Sequence, residues 1–428
     1  MKLGIIGGTG LEKLGILENP EEKIIETPYG NPSSIILTGK IKGIDVCLLS
    51  RHGKNHEYPP TQVNNKANIY ALKELGCSHI LATTAAGSLK EEIKRGDFVI
   101  LSQFIDFTRH RKITFHEHFV SGVKHVSLAD PFSEYLRKKL IEATKQENIS
   151  MHEKGTVITI EGPRFSTRAE SKMFRQWGGD VINMSTAPEA ILAREAELEY
   201  SCIAMSTDYD CWKTDEEPVS FDAVRKVADE NAEKVTRVLL RVIDLISSEE
   251  EFREEKEIIK NKIRTIPDFP KPGIMFRDIT TLLGDFEGIE LVLKILEKRY
   301  KNKEIDVIAG IESRGFLIAG MLSSRINKPV ALLRKPGKLP GETEKQEYEL
   351  EYGKDSIEIH KDAIKPGQKV LLIDDLIATG GTAQAGVNLI KKLGGKIIEA
   401  CFIIDLPELK GKEKLNCPIY TIVEFEGE

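Results

Sequence analysis

Four strand-end motifs in the first half of the chain carry residues that could do chemistry. LGIIGGTG (3–10) runs from an apolar stretch into a glycine turn with one hydroxyl, Thr9. Its glycine spacing fits neither the dinucleotide fingerprint nor a lysine-bearing phosphate loop, so it offers only free N–H groups to a small anion. LLSRHG brings Arg51 and His52, LATTAAGS brings Thr84 beside Ala85, and INMSTAPE brings Met184 and Ser185. An arginine fork with several hydroxyls is the donor set that a free orthophosphate needs. Each motif alone is equally readable as a turn or a helix cap. The last motif, STDYDCW, places Asp208 and Asp210 just past an apolar run. In extended chain, residues two apart face one side. Two such carboxyls could accept an exocyclic amine and hold a proton for a ring nitrogen, or form an ordinary turn pair.

The second half holds a sharper signal. VLLIDDLIATGGT (370–382) is an apolar run ending in Asp374 and Asp375, then a Thr-Gly-Gly-Thr turn that opens a helix. Glycines let the N–H groups of Ala378, Thr379, Gly380, Gly381 and Thr382 converge on a phosphate at the helix start. The two acids can accept hydrogen bonds from a ribose diol.

The elements that must position these residues follow from patterning. The apolar runs LGIIG, VCLLS, HILATT, DFVIL, TVITIEG and CIAMST in the first half alternate with helical segments. VIAGI, VALLRK, VLLIDDL and ACFIIDL do so in the second. This alternation predicts α/β architecture with buried, mainly parallel sheets and ligands at strand carboxyl ends. At 428 residues the chain is too long for one ordinary domain. Ser247–Lys262 carries ten charged residues in sixteen, and a helical pattern (Val235, Val238, Leu239, Val242, Ile243) precedes it. The expected domains are therefore 1–248 and 256–428, with a charged linker at 249–255. A net charge of −6 with no dominant basic tract excludes a nucleic-acid partner. Apolar runs are too short for a bilayer, and six scattered cysteines lack zinc or disulfide spacing. A soluble cytoplasmic protein is expected.

GGTG, SRHG, TTAAGSL, TIEGPRFSTRAES, INMSTAPE and STDYDCW, in this order, resemble the trimeric purine nucleoside phosphorylase family, most of all its methylthioadenosine phosphorylase branch. The resemblance covers roughly residues 1–246 and implies a nucleoside-phosphorylase-like fold. It implies phosphorolysis of methylthioadenosine to adenine and methylthioribose 1-phosphate. By the same carry-over Thr9, Arg51, His52, Thr84, Ala85 and Ser185 would hold phosphate. Met184 would lie on the ribose and Phe165 beside the base. Asp208 would act as acid at purine N7, with Asp210 on the 6-amino group. His125, Phe221 and Val224 would line the 5′ pocket; Phe221 stands where the family usually has valine.

The second half resembles type I phosphoribosyltransferases, and RTIPDFPKPGIMFRDIT, GIESRGF, LLRKPGKLPGE and YELEYG are similar to adenine phosphoribosyltransferase. That resemblance implies a type I fold with a mainly parallel sheet, binding 5-phosphoribosyl 1-pyrophosphate (PRPP). Residues 378–382 would cradle the 5-phosphate, and Asp374 and Asp375 the ribose hydroxyls. Ser313, Arg314, Arg334, Lys335 and Lys338 would bind PRPP or AMP, chiefly at the pyrophosphate. Phe276, Arg277 and Arg314 would frame adenine, and Glu351 would be an acid/base on a closing loop. Asp375 and Glu351 join Asp208 and Asp210 as candidate catalytic groups. Magnesium would arrive with the pyrophosphate, with no metal site built by protein alone. The combined expectation is a bifunctional salvage enzyme whose second half consumes the adenine that the first releases. A PRPP-sensing second half, or a first half with a broader 6-aminopurine nucleoside range, are the alternatives. Trimeric and dimeric families in one chain imply a homo-oligomer based on a trimer, which closes as a hexamer if both interfaces persist.

Overall fold

The computed structural model describes residues 1–7, 17–119, 122–214, 221–350 and 353–427, without the side chains of 221–223, 349, 350, 353 and 354. Thr9, Glu351 and the Phe221 side chain therefore lie outside the described residues. The chain divides into two compact units, Met1–Glu249 and Glu250–Glu428. Among the described residues no helix is long and apolar enough to cross a membrane.

The first unit begins with β1 Lys2–Gly7, β2 Glu18–Lys23, β3 Ile36–Ile41, β4 Ile44–Ser50, α1 Asn65–Glu74 and β5 His79–Ser88. It continues through β6 Phe98–Ile100, β7 Gln103–Phe107, α2 Glu134–Gln146, β8 Met151–His152, β9 Thr156–Ile160 and α3 Arg168–Gln176. It closes with β10 Val181–Asn183, α4 Thr186–Glu195, β11 Glu199–Asp208 and α5 Phe221–Asn261. The helical pattern before Ser247 is thus one helix with the charged stretch after it: residues 249–255, expected as a linker, are helical.

The central strands are apolar on both faces because helices cover both. On β1 and β4, Ile6, Cys47 and Leu49 pack with α1 and α4 through Ile69, Leu72, Ala190 and Ala193. The alternate residues Leu3, Ile5, Val46 and Leu48 pack with α2 and α5 through Leu136, Leu140, Val238 and Val242. Such double burial is the reason these strands read as continuous apolar runs. β5 is the hinge of the sheet. It runs parallel to β1 and β11, while its last residues, Gly87 and Ser88, pair antiparallel with β10.

In the second unit β12 Arg264–Pro267 and β13 Met275–Asp278 form a two-stranded antiparallel sheet. Then come α6 Thr280–Leu283, α7 Phe286–Tyr300, β14 Val307–Ile311, α8 Arg314–Ile326 and β15 Val330–Leu333. An antiparallel hairpin of β16 Thr343–Leu350 and β17 Gly353–His360 precedes β18 Lys369–Ile377, α9 Gly381–Lys392, β19 Lys396–Asp405 and β20 Ile419–Glu424. The main sheet, β15-β14-β18-β19-β20, is parallel throughout. Ile308, Leu371, Ile373 and Cys401 face α7 and α8, and Val307, Ala309, Leu372 and Phe402 face α9 and the hairpin. The predicted fold class holds in both units.

One buried carboxylate ties three elements of this second unit together. Glu399 on β19 accepts from Arg299 Nε and Nη2 at 2.7 Å each and from the Tyr300 hydroxyl at 2.7 Å, with Lys303 at 3.3 Å. Arg299 also lies 3.8 Å over the Tyr420 ring of β20. Removing one partner from a buried pair leaves the other uncompensated. Glu399→Ala is therefore expected to destabilise this unit by about 3 kcal/mol. Urea unfolding followed on the isolated second transition reads this, and an unchanged midpoint would contradict it.

Candidate functional sites

The first site forms at the ends of β1 and β4, beside Thr83 and Thr84 within β5 and the chain that follows β10. The Arg51 N–H donates to Gly7 C=O at 3.0 Å, which joins the end of β4 to that of β1. The Arg51 side chain is buried. Its Nε and Nη2 donate to the two oxygens of Glu189 on α4 at 2.5 and 3.0 Å, and Nη1 donates to Thr83 C=O at 2.8 Å. Burial opposes the arginine charge, but the charge and hydrogen bonds of Glu189 outweigh it and raise the pKa further. The fork expected to face an anion is thus largely held by Glu189.

Thr84 and Ser185 meet directly, hydroxyl to hydroxyl at 3.2 Å. Asn183 Nδ2 donates to Thr84 Oγ1 at 3.2 Å and to Thr186 Oγ1 at 2.6 Å, and its carbonyl accepts from Thr159 at 3.0 Å. Ser185 is the N-cap residue of α4, yet its hydroxyl makes no capping bond. It is turned to Thr84 at a helix start, where anions are favoured. Ala85 follows on β5, its carbonyl accepting from Thr84 Oγ1 at 3.0 Å.

His52, expected at the phosphate, is held by the backbone. Its Nδ1 lies 2.8 Å from Tyr58 C=O, and since a carbonyl only accepts, Nδ1 carries the proton. Burial, then the Arg51 charge, push its pKa down to about 4. The ring is neutral near pH 7, so Nε2 is an acceptor and would meet a hydroxyl of a ligand rather than a bare oxyanion.

The acidic pair departs from extended geometry. β11 bulges at Thr207 so that Asp208 pairs with Gly87, and Asp210 sits at φ 49° in a turn. Asp208 accepts from Thr207 Oγ1 at 2.8 Å and from the Asp210 N–H at 2.7 Å. Burial, and then the Asp208 charge, raise the Asp210 pKa. A Cβ on Gly87 would stand 2.8 Å from Asp208 Oδ1 and 3.4 Å from Asp210 Cβ. Only a glycine lets the two acids nest against β5.

Met184 packs on Gly162, where a Cβ would come within 2.5 Å of its sulfur. Arg111 holds that turn by donating to Glu161 and to Met184 C=O. Phe165 and Val224 are at least partly accessible. His125 is exposed, edge-on to Phe119 at 5.8 Å. Glu189, Asn183, Thr159 and Arg111 were not singled out by sequence. The buried Glu189 in APEAILARE, among apolar helix neighbours, was the available signal.

The second site lies at the ends of β14 and β18. Asp375 is buried and faces Arg314 Nε at 3.0 Å as an ion pair, while its Oδ2 has no aligned hydrogen-bond donor among the described residues. Asp374 accepts from the Asp375 N–H at 2.9 Å. Burial and the neighbouring Asp375 charge raise the Asp374 pKa well above the usual range. The turn 378–382 passes through Gly380 at φ 77° into α9, whose first-turn N–H groups no side chain caps. Ser313 precedes α8, again without a capping bond.

Three cations expected on PRPP are engaged by carboxylates: Arg314 by Asp375, Arg334 by Glu312 at 3.2 Å, and Lys335 by Asp355, with the Tyr348 hydroxyl at 3.0 Å. Lys338 is exposed, and its carbonyl accepts from Arg334 at 3.1 Å. Phe276 stacks edge-on with Phe269 at 5.1 Å. The Arg277 side chain is buried, donating to Thr265 at 2.6 Å and to Glu426 C=O at 2.9 Å, while its Nε has no hydrogen-bond partner among the described residues.

Residues 2–244 match the phosphorylase superfamily and residues 284–425 the phosphoribosyl transferase domain. The chain belongs to the phosphorylase superfamily and joins to it a phosphoribosyltransferase domain. It is 52% identical over 275 residues to S-methyl-5′-thioadenosine phosphorylase of Xenopus tropicalis, covering 63% of this chain and 98% of that protein. The enzyme of the same name from Thermofilum pendens is 52% identical over 249 residues, 58% of this chain and 94% of that protein. Methylthioadenosine phosphorylase from Schistosoma mansoni in complex with adenine superposes with a TM-score of 0.55 at 40% identity, covering 58% of this chain and 92% of that one.

Gly411 shows how the second site is held. A Cβ there would stand 2.1 Å from Ala378 C=O and 2.9 Å from the Gly380 nitrogen. Gly411→Ala must displace the turn. A shift of about 1 Å costs on the order of 100-fold in rate, so phosphoribosyl transfer should fall by that order. Gly320→Ala on α8, where nothing lies within 4 Å, should leave it unchanged. Equal rates in both variants would contradict the role given to the turn.

Proposed function

We propose that the first unit phosphorolyses S-methyl-5′-thioadenosine to adenine and 5-methylthioribose 1-phosphate, and that the second transfers the phosphoribosyl group of PRPP to adenine, giving AMP and pyrophosphate. The observation that carries the first half is the convergence of Arg51, Thr84 and Ser185 on the strand ends that also hold the nested acids Asp208 and Asp210. Similarity of the first unit to nearly the whole length of enzymes of that name supports the substrate.

In this reading Thr84, Ser185, Ala85, the free edge of Arg51 and Thr9 bind phosphate. His52 accepts from a hydroxyl, Met184 packs on the ribose, and Phe165 lies beside the base. His125, Phe221 and Val224 are assigned to the 5′ substituent. The glycosidic bond breaks when the departing purine is neutralised at N7. Asp208 supplies the proton in this reading. Asp210 accepts from the 6-amino group, which selects a 6-aminopurine.

In the second unit the turn 378–382 offers its N–H groups to the 5-phosphate, and Asp374 and Asp375 accept from the ribose diol. The unaligned oxygen of Asp375 is an acceptor that such a hydroxyl would satisfy. Ser313, Arg314, Arg334, Lys335 and Lys338 are placed around the pyrophosphate, with Glu351 as acid/base. Phe276 and the backbone near Arg277 hold adenine. Magnesium bound with PRPP would neutralise the pyrophosphate leaving group. Among the described residues no three His, Cys, Asp or Glu side chains form a metal cluster.

Asp208→Asn leaves an amide that cannot release a proton to N7, and phosphorolysis should fall about 10²–10⁴-fold. Retained turnover in that variant would contradict the acid assignment. Replacing Asp374 and Asp375 together by Ala removes two charge-assisted contacts of about 1.5–3 kcal/mol each. Supplied with methylthioadenosine, phosphate, PRPP and magnesium, this variant should accumulate adenine and form little AMP. Normal AMP formation would refute the second site.

A further inference from the structure

The direction in which Arg51 can present its remaining donors is set by groups other than Arg51. A guanidinium has five N–H donors. Nε and Nη2 are taken fork to fork by Glu189, and one donor of Nη1 goes to Thr83 C=O. One N–H on each terminal nitrogen is left without a partner among the described residues. Both charged side chains are nearly sealed from water, at 4% exposure for Arg51 and 1% for Glu189. Glu189 is fixed in turn. The hydroxyl of Tyr200 on β11, itself buried, donates to Glu189 Oε2 at 2.8 Å, the oxygen that also accepts from Nη2. Glu189 also lies one helical turn after Ser185, so one rigid element sets both the serine hydroxyl and the arginine plane.

We propose that Glu189, backed by Tyr200, is a positioning residue for the anion at the first site: it fixes the guanidinium plane of Arg51 so that the two remaining N–H groups face phosphate. This deepens the phosphorylase reading and rests on it. A buried ion pair is a poor source of net stability, because desolvation offsets the Coulomb gain. A fixed fork, by contrast, binds a tetrahedral anion with little further ordering. Neither Glu189 nor Tyr200 needs to touch substrate for this.

The test is the KM for each substrate in Glu189→Gln and Tyr200→Phe, from adenine release at varied phosphate and varied methylthioadenosine. In Glu189→Gln an amide N–H₂ replaces one acceptor, and the guanidinium must turn. Its KM for phosphate should rise about 10–100-fold, the range that loss of an orienting partner typically costs. The KM for the nucleoside should stay in place. Tyr200→Phe should move the same constant in the same direction by less. A purely structural pair would lower the unfolding midpoint or the active fraction and leave the phosphate KM unmoved, which would overturn the proposal. Should Glu189→Gln not fold, an unmoved phosphate KM in Tyr200→Phe overturns it equally. The wild type separates the two failures: without phosphate-dependent adenine release the phosphorylase reading falls, and this proposal with it.

Discussion

A parallel sheet covered by helices on both faces has one place for polar chemistry, the ends of its strands, and both units of this chain are built around that constraint. The interior is mainly apolar, and β1, β4, β14 and β18 carry runs of fully buried aliphatic residues. Charge then appears at once: Arg51 after β4, Asp208 at the end of β11, Asp374 and Asp375 in β18. Each sits at the rim of a core that would penalise it unpaired. The structure answers with partners. Glu189 meets Arg51, Arg314 meets Asp375, and the Asp210 N–H and Thr207 meet Asp208. These partners do two things together, since a group held in place against desolvation is also oriented for a ligand.

The two sites use this differently. In the first, the proposed anion donors are neutral hydroxyls and an arginine held by Glu189, and the neutral His52 adds an acceptor. In the second, three of the four cations proposed to meet a highly charged ligand, Arg314, Arg334 and Lys335, are engaged by carboxylates. Lys335 lies with Asp355 and Tyr348 of the hairpin, and Arg334 with Glu312. A ligand that brings its own negative charge must exchange for those carboxylates.

Much of this was legible in sequence because burial writes itself into composition. All ten apolar runs read as strands are strands, and the turn after β18 carries its glycines where the backbone needs them. What escaped has physical reasons. The polar hairpin β16–β17 is half solvated and lacks an apolar run. Glu189 reads as one more charge on a helix until the neighbouring strand shows that its face is buried. Gly411, in a lysine-rich stretch, is set by a backbone approach to Ala378 that no local pattern records. The extended reading of Asp208 and Asp210 failed at the bulge, which one residue of register creates. The charge run at 249–255 continues a helix, because charged residues are good helix formers when the other face is anchored. Here Ile259, with Phe252 packed against the same core, supplies that anchor in the second unit.

The central claim is that the base released at one set of strand ends is rebuilt into a nucleotide at the other. The most direct measurement gives the wild-type chain methylthioadenosine labelled in its purine ring, with phosphate, PRPP and magnesium, and follows the label. The account predicts label in AMP, passing through adenine and absent when either phosphate or PRPP is withheld. Label that stops at adenine with PRPP present would contradict it and leave the second unit as a PRPP-binding module without transferase activity.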